Sequence, residues 1–374
     1  MDLSPHLDPR TDPGRADPQP DAPVNRRARF WRPRRVVILK AAAGSPVAER
    51  AARVGAELGA EVVHAARLTG LKGGDERQTY RSAKSTLAIT TAPPSSLRLQ
   101  PIPPSADFRL DLATGCPAHC QYCYLAGSLT GPPVTRAFSN LNAIWQAALD
   151  HRGQGTITSA TDARADEGTT FEASCYTDPL AIEHLTGGLA TLIERFGTQG
   201  DMGLRFTTKY DHVDDLLDLP HNGRTRMRAS VNADIVARRW EGGTAPVAAR
   251  LSALGRMAAA GYPVGLTVAP IMPVEDWEEA YAALFAQAAA ALPDGADLTV
   301  ELITHRFTPG SKEILTGWYP ATTLEMDEAV RVRKFGKFGN VKYVYPAALM
   351  RDMRTTLEGL IDAHLSGARV LYWT

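Results

Sequence analysis

Phe108-Arg109-Leu110-Asp111-Leu112-Ala113-Thr114-Gly115-Cys116-Pro117-Ala118-His119-Cys120-Gln121-Tyr122-Cys123-Tyr124-Leu125 runs from an apolar segment directly into three cysteines at C-x3-C-x2-C spacing. Phe108 to Leu112 reads as a strand, so the cysteines fall at its carboxyl end. Three thiolates leave one position open. A structural zinc site takes four closed ligands, whereas an iron-sulfur cubane held by three thiolates keeps one iron free for an outside ligand. The chain has 4 cysteines in 374 residues, three of them in this one loop. That crowding favours a metal role in a reducing, cytoplasmic compartment over a disulfide framework.

Working outward, the same strand-then-helix pattern repeats. Strands are expected at Phe108 to Leu112, Thr170 to Ser174, Leu204 to Thr207, Arg226 to Val231, Val264 to Pro270 and Leu298 to Thr304. Helices are expected at Leu141 to Ala148, Ile182 to Phe196, Val247 to Ala260 and Trp277 to Ala291. Such alternation predicts an α/β fold whose parallel sheet, with right-handed crossovers, closes partly into a (β/α)6 TIM-type barrel. Chemistry in these folds gathers at the carboxyl ends of the strands.

The remainder divides around that barrel. Residues 1–33 read as a disordered tail, Pro/Asp-rich and then Arg-rich, with few large apolar side chains to pack. Residues 34–104 read as a small α/β unit, with strands at Val36 to Leu39 and Val62 to Ala65 flanking a helix from Pro46 to Leu58. The barrel is assigned to 105–305, and 306–374 to a carboxyl-terminal region carrying a β-hairpin. Formal net charge is zero, so attraction to nucleic acid must come from a local patch. No apolar run is long enough to span a bilayer, and no membrane partner is expected.

The hairpin supplies such a patch: Arg331-Val332-Arg333-Lys334-Phe335-Gly336-Lys337-Phe338-Gly339-Asn340-Val341-Lys342-Tyr343 carries five cations, no acid, and aromatics between glycines. The alternation about Phe338-Gly339-Asn340 predicts the turn. Arg331, Arg333, Lys334, Lys337, Phe338 and Lys342 are the expected DNA-binding residues, cations on phosphate and an apolar tip at the opened duplex. The plainer reading is a solvated charged hairpin; a neutral protein that binds DNA needs a basic patch somewhere, which favours contact.

Other polar residues fall at the expected strand ends. Cys175 and Thr177 follow the second barrel strand, Lys209 ends the third, and Ser230 and Asn232 end the fourth. Singly, each has an ordinary explanation. A lone cysteine is commonly a small buried hydrophobe, a lysine can snorkel, and Asn232 can cap the next helix. Their common placement above one barrel mouth is what points to a site.

From about Tyr80 to the carboxyl terminus the chain resembles the spore photoproduct lyase family of radical S-adenosylmethionine enzymes. The resemblance rests on Arg81-Ser82-Ala83-Lys84-Ser85-Thr86-Leu87, Leu112 to Cys116, Cys120 to Leu125, Phe171-Glu172-Ala173-Ser174-Cys175 and Leu204 to Tyr210 with His212-Val213-Asp214. His221 to Arg226, Glu301 to Phe307 and Val341 to Tyr345 extend it. It implies a carbon-carbon lyase that reverses the spore photoproduct, 5-thyminyl-5,6-dihydrothymine, to two thymines in UV-damaged DNA. Cys116, Cys120 and Cys123 would hold a 4Fe-4S cluster whose open iron takes S-adenosyl-L-methionine, and a 5'-deoxyadenosyl radical would abstract hydrogen from the lesion. Cys175 would return a hydrogen atom. Tyr122 and Tyr124 would relay the radical, with packing on the cluster or adenine an equal reading for Tyr122. Thr177, Lys209, Ser230 and Asn232 would cradle S-adenosyl-L-methionine. A monomer fed by an electron donor such as flavodoxin or ferredoxin completes the expectation. The chain departs from the family pattern at the hairpin tip, where Lys337-Phe338 stands for an Arg-Tyr pair. It departs also at Tyr176 and in a polar insert from Arg152 to Gly168.

Two further readings follow from the same residues. One keeps the radical chemistry but moves it to another DNA or RNA lesion or modified base. The other is a noncatalytic zinc-stabilised nucleic-acid-binding protein, with Cys116, Cys120, Cys123 and either His119 or Cys175 as ligands.

Overall fold

The computed structural model describes residues 30–71, 74–128, 131–173, 175–335 and 341–374. The expected tail up to residue 29, and Lys337 and Phe338 at the hairpin tip, lie outside them. In chain order the strands of the first half are β1 (Arg35–Leu39), β2 (Glu61–Ala65), β3 (Thr86–Thr90), β4 (Phe108–Leu110), β5 (Ala113–Thr114), β6 (His119–Cys120) and β7 (Thr135–Phe138). Those of the second half are β8 (Thr169–Ala173), β9 (Met202–Thr208), β10 (Thr225–Val231), β11 (Glu241–Gly242), β12 (Val264–Ile271), β13 (Leu298–Thr304), β14 (Val332–Phe335), β15 (Val341–Val344) and β16 (Arg369–Trp373).

The larger sheet has 7 strands in the order β16-β13-β12-β10-β9-β8-β4. Every neighbour in it is parallel. Six of its members, β4, β8, β9, β10, β12 and β13, are the strands expected from the pattern, each laid beside its predecessor, which is the singly wound order of an open barrel. β16 was not foreseen; it adds a seventh strand beyond β13. The smaller sheet, β2-β1-β3-β7-β5, also exceeds expectation. Its members β7 and β5 are drawn from chain beyond residue 105, so the division at 104/105 is not a boundary between sheets. The first barrel strand is correspondingly shorter than expected, ending at Leu110, because Ala113 pairs with Ala137 of β7 in the other sheet.

Alternation within β10 shows how the barrel is filled. Met227, Ala229 and Val231 join the apolar core, while Arg226, Arg228 and Ser230 point the other way, and all seven residues are buried. Arg228 forms ion pairs with Glu172 of β8 and Glu301 of β13. Glu301 also accepts from Thr267 of β12 at 3.0 Å. On β9, Arg205 pairs with Glu167 and donates to the Ser105 carbonyl at 2.6 Å. The barrel interior is thus a layer of charge-assisted bonds, and an arginine there is tolerable only because each is paired.

Ten α-helices surround the sheets, including α1 (Pro46–Glu57), α2 (Glu76–Lys84), α3 (Leu141–Asp150), α4 (Leu180–Thr186), α5 (Gly188–Gly197), α6 (Asp234–Trp240), α7 (Val247–Ala259), α8 (Trp277–Ala291), α9 (Pro309–Trp318) and α10 (Ala347–His364), counted among the described residues. The single helix expected from Ile182 to Phe196 is two. Gly187 sits at φ 64°, a left-handed conformation that ends α4 at no steric cost. Glu183 then accepts from the backbone of Leu189 (2.8 Å) and Ala190 (3.0 Å), capping α5. The insert from Arg152 to Gly168 is knitted down by the buried Asp107. That carboxylate accepts from the Ile157 and Thr158 amides and the Thr158 hydroxyl at 2.7, 2.9 and 2.7 Å.

Candidate active site

The cysteine loop is shaped by backbone constraints on both sides. Gly115, at φ 78°, lies so close to the chain entering β7 of the same sheet that a Cβ there would fall 2.1 Å from the Val134 carbonyl oxygen. Downstream, β6 pairs antiparallel with β11, setting Cys120 opposite Glu241. The Gln121 amide donates to the Trp240 carbonyl at 2.8 Å. From the side of the smaller sheet, the last residue of α2 reaches in: Lys84, 6% exposed, donates its ammonium to the carbonyls of Cys116 (2.5 Å) and Ala118.

Burial works against ionisation at two of the three cysteines. Burial pushes Cys116 up to about 12, against the pull of the Lys84 cation. Cys120 is raised as well, by burial first, with Lys209 opposing and Glu241 reinforcing. Cluster assembly must therefore displace protons. Among the described residues, no group of three or more His, Cys, Asp or Glu side chains converges on a single ion. His119, one fourth ligand offered by the zinc reading, has Nδ1 in a 2.8 Å hydrogen bond with the Tyr80 hydroxyl. Three thiols in one loop, a buried ammonium beside them, and the buried hydroxyl of Thr177, which has no partner among the described residues, together fit an anionic cluster with a polar ligand next to it.

At the strand ends, Cys175 follows β8, and burial is the main cause that holds its thiol far above the usual range, with Glu172 and Asp111 adding to it. Its carbonyl accepts a hydrogen bond from the Tyr124 hydroxyl. Tyr124 is otherwise 64% exposed, so this bond fixes an open phenol beside the thiol residue. Next to them Tyr176 lies under the Arg109 guanidinium, 4.6 Å from the ring centroid.

Tyr122 donates instead to Glu241, and the Lys209 ammonium sits 5.6 Å over its ring. Lys209 pairs with Glu241 at 2.9 Å, and Arg250 pairs with the other carboxylate oxygen at 2.5 Å. Burial alone would raise Glu241, but the two cations and the phenol bring it down to about 2. Arg250 also donates to the Ser230 carbonyl at 2.9 Å. Glu241 therefore ties together Tyr122, Lys209, the backbone at Ser230 and the strand carrying Cys120. Sequence reasoning missed it, because a single glutamate before two glycines carries no local pattern. Asp178, one of the polar residues expected after the second barrel strand, accepts from the Lys209 amide at 2.7 Å and the Thr208 hydroxyl at 2.8 Å. Burial keeps it at about 6 despite those bonds.

Two expected roles change. The side chain of Asn232 is spent inside the protein: its amide donates to Pro270 at 2.6 Å and its oxygen accepts from Tyr281 at 2.7 Å. It braces the mouth and has little left for a ligand. Arg331 is not a free phosphate contact. It is 7% exposed, stacks 3.6 Å from the Tyr345 ring centroid, pairs with Glu325 at 2.6 Å and donates to the His305 carbonyl at 3.1 Å. The hairpin itself is present, β14 against β15. Arg333 and Lys334 are exposed on it, beside Val332 (47%) and Phe335 (65%), and Lys342 is half-buried.

Comparison with known proteins returns one family repeatedly. The family model for spore photoproduct lyase matches residues 31–374. Spore photoproduct lyase of Bacillus subtilis strain 168 is 43% identical over 307 residues, covering 81% of this chain and 86% of the relative. That of Geobacillus sp. strain Y412MC61 is 40% identical over 333 residues, covering 88% and 94%. A solved spore photoproduct lyase complexed with dinucleoside spore photoproduct superposes with a TM-score of 0.85 at 37% identity, over 92% of this chain and 100% of that one. A double mutant with bound AdoMet and the same dinucleoside gives 0.84 at 37% identity, over 91% and 99%.

Proposed function

The chain belongs to the spore photoproduct lyase family, and from that membership we propose that it is a radical S-adenosylmethionine lyase returning the spore photoproduct in UV-damaged DNA to two thymines. The observation that carries the reading is the grouping at one barrel mouth of a three-thiol loop, a half-buried fourth thiol at Cys175 and a phenol bonded to that residue.

When bound, the 4Fe-4S cluster and S-adenosyl-L-methionine supply one-electron cleavage of a carbon-sulfur bond and so a 5'-deoxyadenosyl radical at the lesion. Cys116, Cys120 and Cys123 are the residues to hold the cluster. Lys209 would offer its ammonium to a ligand carboxylate, and the Thr177 hydroxyl, without a partner among the described residues, and Ser230 would complete the cradle. Cys175 contributes by remaining a thiol. Burial beside Glu172 and Asp111 disfavours the thiolate, so an S–H hydrogen atom is present to be delivered to an allylic thymine radical. Tyr124, anchored to the Cys175 carbonyl, would hand a hydrogen atom to the resulting thiyl radical. Tyr122 is the next phenol, its hydroxyl fixed by Glu241. The reductant must be a one-electron carrier of the flavodoxin or ferredoxin type. Exposed Arg333 and Lys334, with Lys342, are the cations for phosphate.

The test is anaerobic turnover of synthetic dinucleoside spore photoproduct by the reconstituted protein, with products separated by chromatography. Two intact thymines are expected. Cys175→Ala should still cleave the lesion but give abnormal products; clean thymine at full yield from that variant would sink the donor role. Turnover of other modified bases with none of this lesion would move the chemistry to a different substrate.

A further inference from the structure

Lys84 is a buried cation that the mechanism above leaves unused. Its ammonium donates to two carbonyls of the cysteine loop, those of Cys116 (2.5 Å) and Ala118. The Tyr80 ring lies 5.9 Å away. Among the described residues it has no carboxylate partner within ion-pairing distance; the titratable groups that feel its charge are Cys116 and His119. An ammonium that is 6% exposed and faces only neutral dipoles is costly, because carbonyls do not replace a counter-charge. The deeply buried cations of the barrel, Arg205, Arg226, Arg228 and Arg250, each have a carboxylate. The exception stands against the loop that carries three thiol ligands.

We infer that Lys84 is the fixed positive charge of the cluster loop, with the thiolate-bound cluster as its counter-charge, and that it raises the reduction potential of that cluster. The inference rests on the cluster assignment made above. Reduction adds one electron and therefore one negative charge. A cation at fixed, water-poor range stabilises the reduced state more than the oxidised one, since Coulomb energy scales with charge and is weakly screened away from solvent. The lysine is also placed by structure, not drawn there by the ligand. It closes α2, where the helix dipole welcomes a cation, and its two carbonyl bonds pin the ammonium.

The experiment is a redox titration of the anaerobically reconstituted full chain, followed by electron paramagnetic resonance of the reduced cluster, for wild type and for Lys84→Met, Lys84→Gln and Lys84→Arg. At the wild-type midpoint, Lys84→Met and Lys84→Gln should show a reduced-to-oxidised ratio lower by tenfold or more, a shift of ~59 mV for one electron, while Lys84→Arg stays within twofold. Gln keeps amide donors without the charge, so it reads the electrostatic effect if the Met variant fails to fold. Midpoints of the neutral variants within twofold of wild type overturn the inference. So does an equal shift in all three, which would assign the effect to loop shape. A wild type that takes up no cluster instead overturns the cofactor assignment, a result distinct from a cluster with an unmoved potential.

Discussion

Replacing Glu241 by Gln tests whether the barrel mouth is held together electrostatically. The substitution keeps size and leaves Lys209 and Arg250, whose side chains are 15% and 1% exposed, without the one carboxylate between them. Removing a single partner from a buried pair costs about 3–5 kcal/mol, because the surviving charge stays buried. Unfolding entropy near 2.1 cal/mol/K per residue, over 374 residues, gives roughly 0.8 kcal/mol/K. The melting midpoint of Glu241→Gln should therefore fall by about 4–6 °C. The assay is thermal unfolding of the apoprotein followed by circular dichroism, run as a double-mutant cycle with Lys209→Met. Taking away the cation as well should restore part of the loss, with a coupling of about 0.5–3 kcal/mol. A Glu241→Gln midpoint unchanged from wild type would refute the reasoning. Losses that simply add, within about 0.5 kcal/mol, would refute it equally, since they would mean Lys209 and Glu241 do not depend on each other.

Gly115→Ala should cost more than the roughly 1–3 kcal/mol of a positive φ alone, because the new methyl meets the Val134 carbonyl at 2.1 Å; iron content after anaerobic reconstitution should drop with the melting midpoint. Asp107 is another case: burial raises its pKa but bonds from Thr170, Thr158 and Ile157 outweigh that and hold it below its usual value. Its contribution is then present above the unfolded pKa of about 3.9 and lost as pH falls through the lower folded value. Urea unfolding should show wild type above Asp107→Asn by about 1.5–3 kcal/mol at neutral pH, the gap closing in acid; a gap independent of pH would count against the ionised carboxylate. On the hairpin, Arg333→Ala should lower the slope of log affinity against log salt for duplex DNA by about 1. Arg331→Ala should instead lower thermal stability and leave that slope in place, as read by fluorescence anisotropy across a salt series.

The parts of this architecture legible in sequence are those where residue type and spacing alone carry the information. The six barrel strands show as apolar runs at regular intervals, and the thiol loop is recognisable from three residues. What escaped depends on partners far away in the chain. β3, five residues, is held between β1 and β7, and β5, only two, exists through its pairing with β7. Arg205, Arg226 and Arg228 on strands read naturally as solvent-facing, yet the barrel encloses them with Glu167, Glu172, Asp297 and Glu301. Arg331 is the converse case: in a run of five cations nothing local marks one for burial, and only the Tyr345 ring and the Glu325 carboxylate single it out.

The two-residue ladder between His119–Cys120 and Glu241–Gly242 also constrains how the holoenzyme is made. The bond from Tyr122 to Glu241 spans 119 positions in sequence, so the loop cannot take its ligand-ready shape on a nascent segment by itself. Most of the barrel must be folded first. Iron-sulfur delivery is then a late step in the life of the molecule, performed on an assembled protein, and cluster uptake across a denaturant series should follow barrel folding.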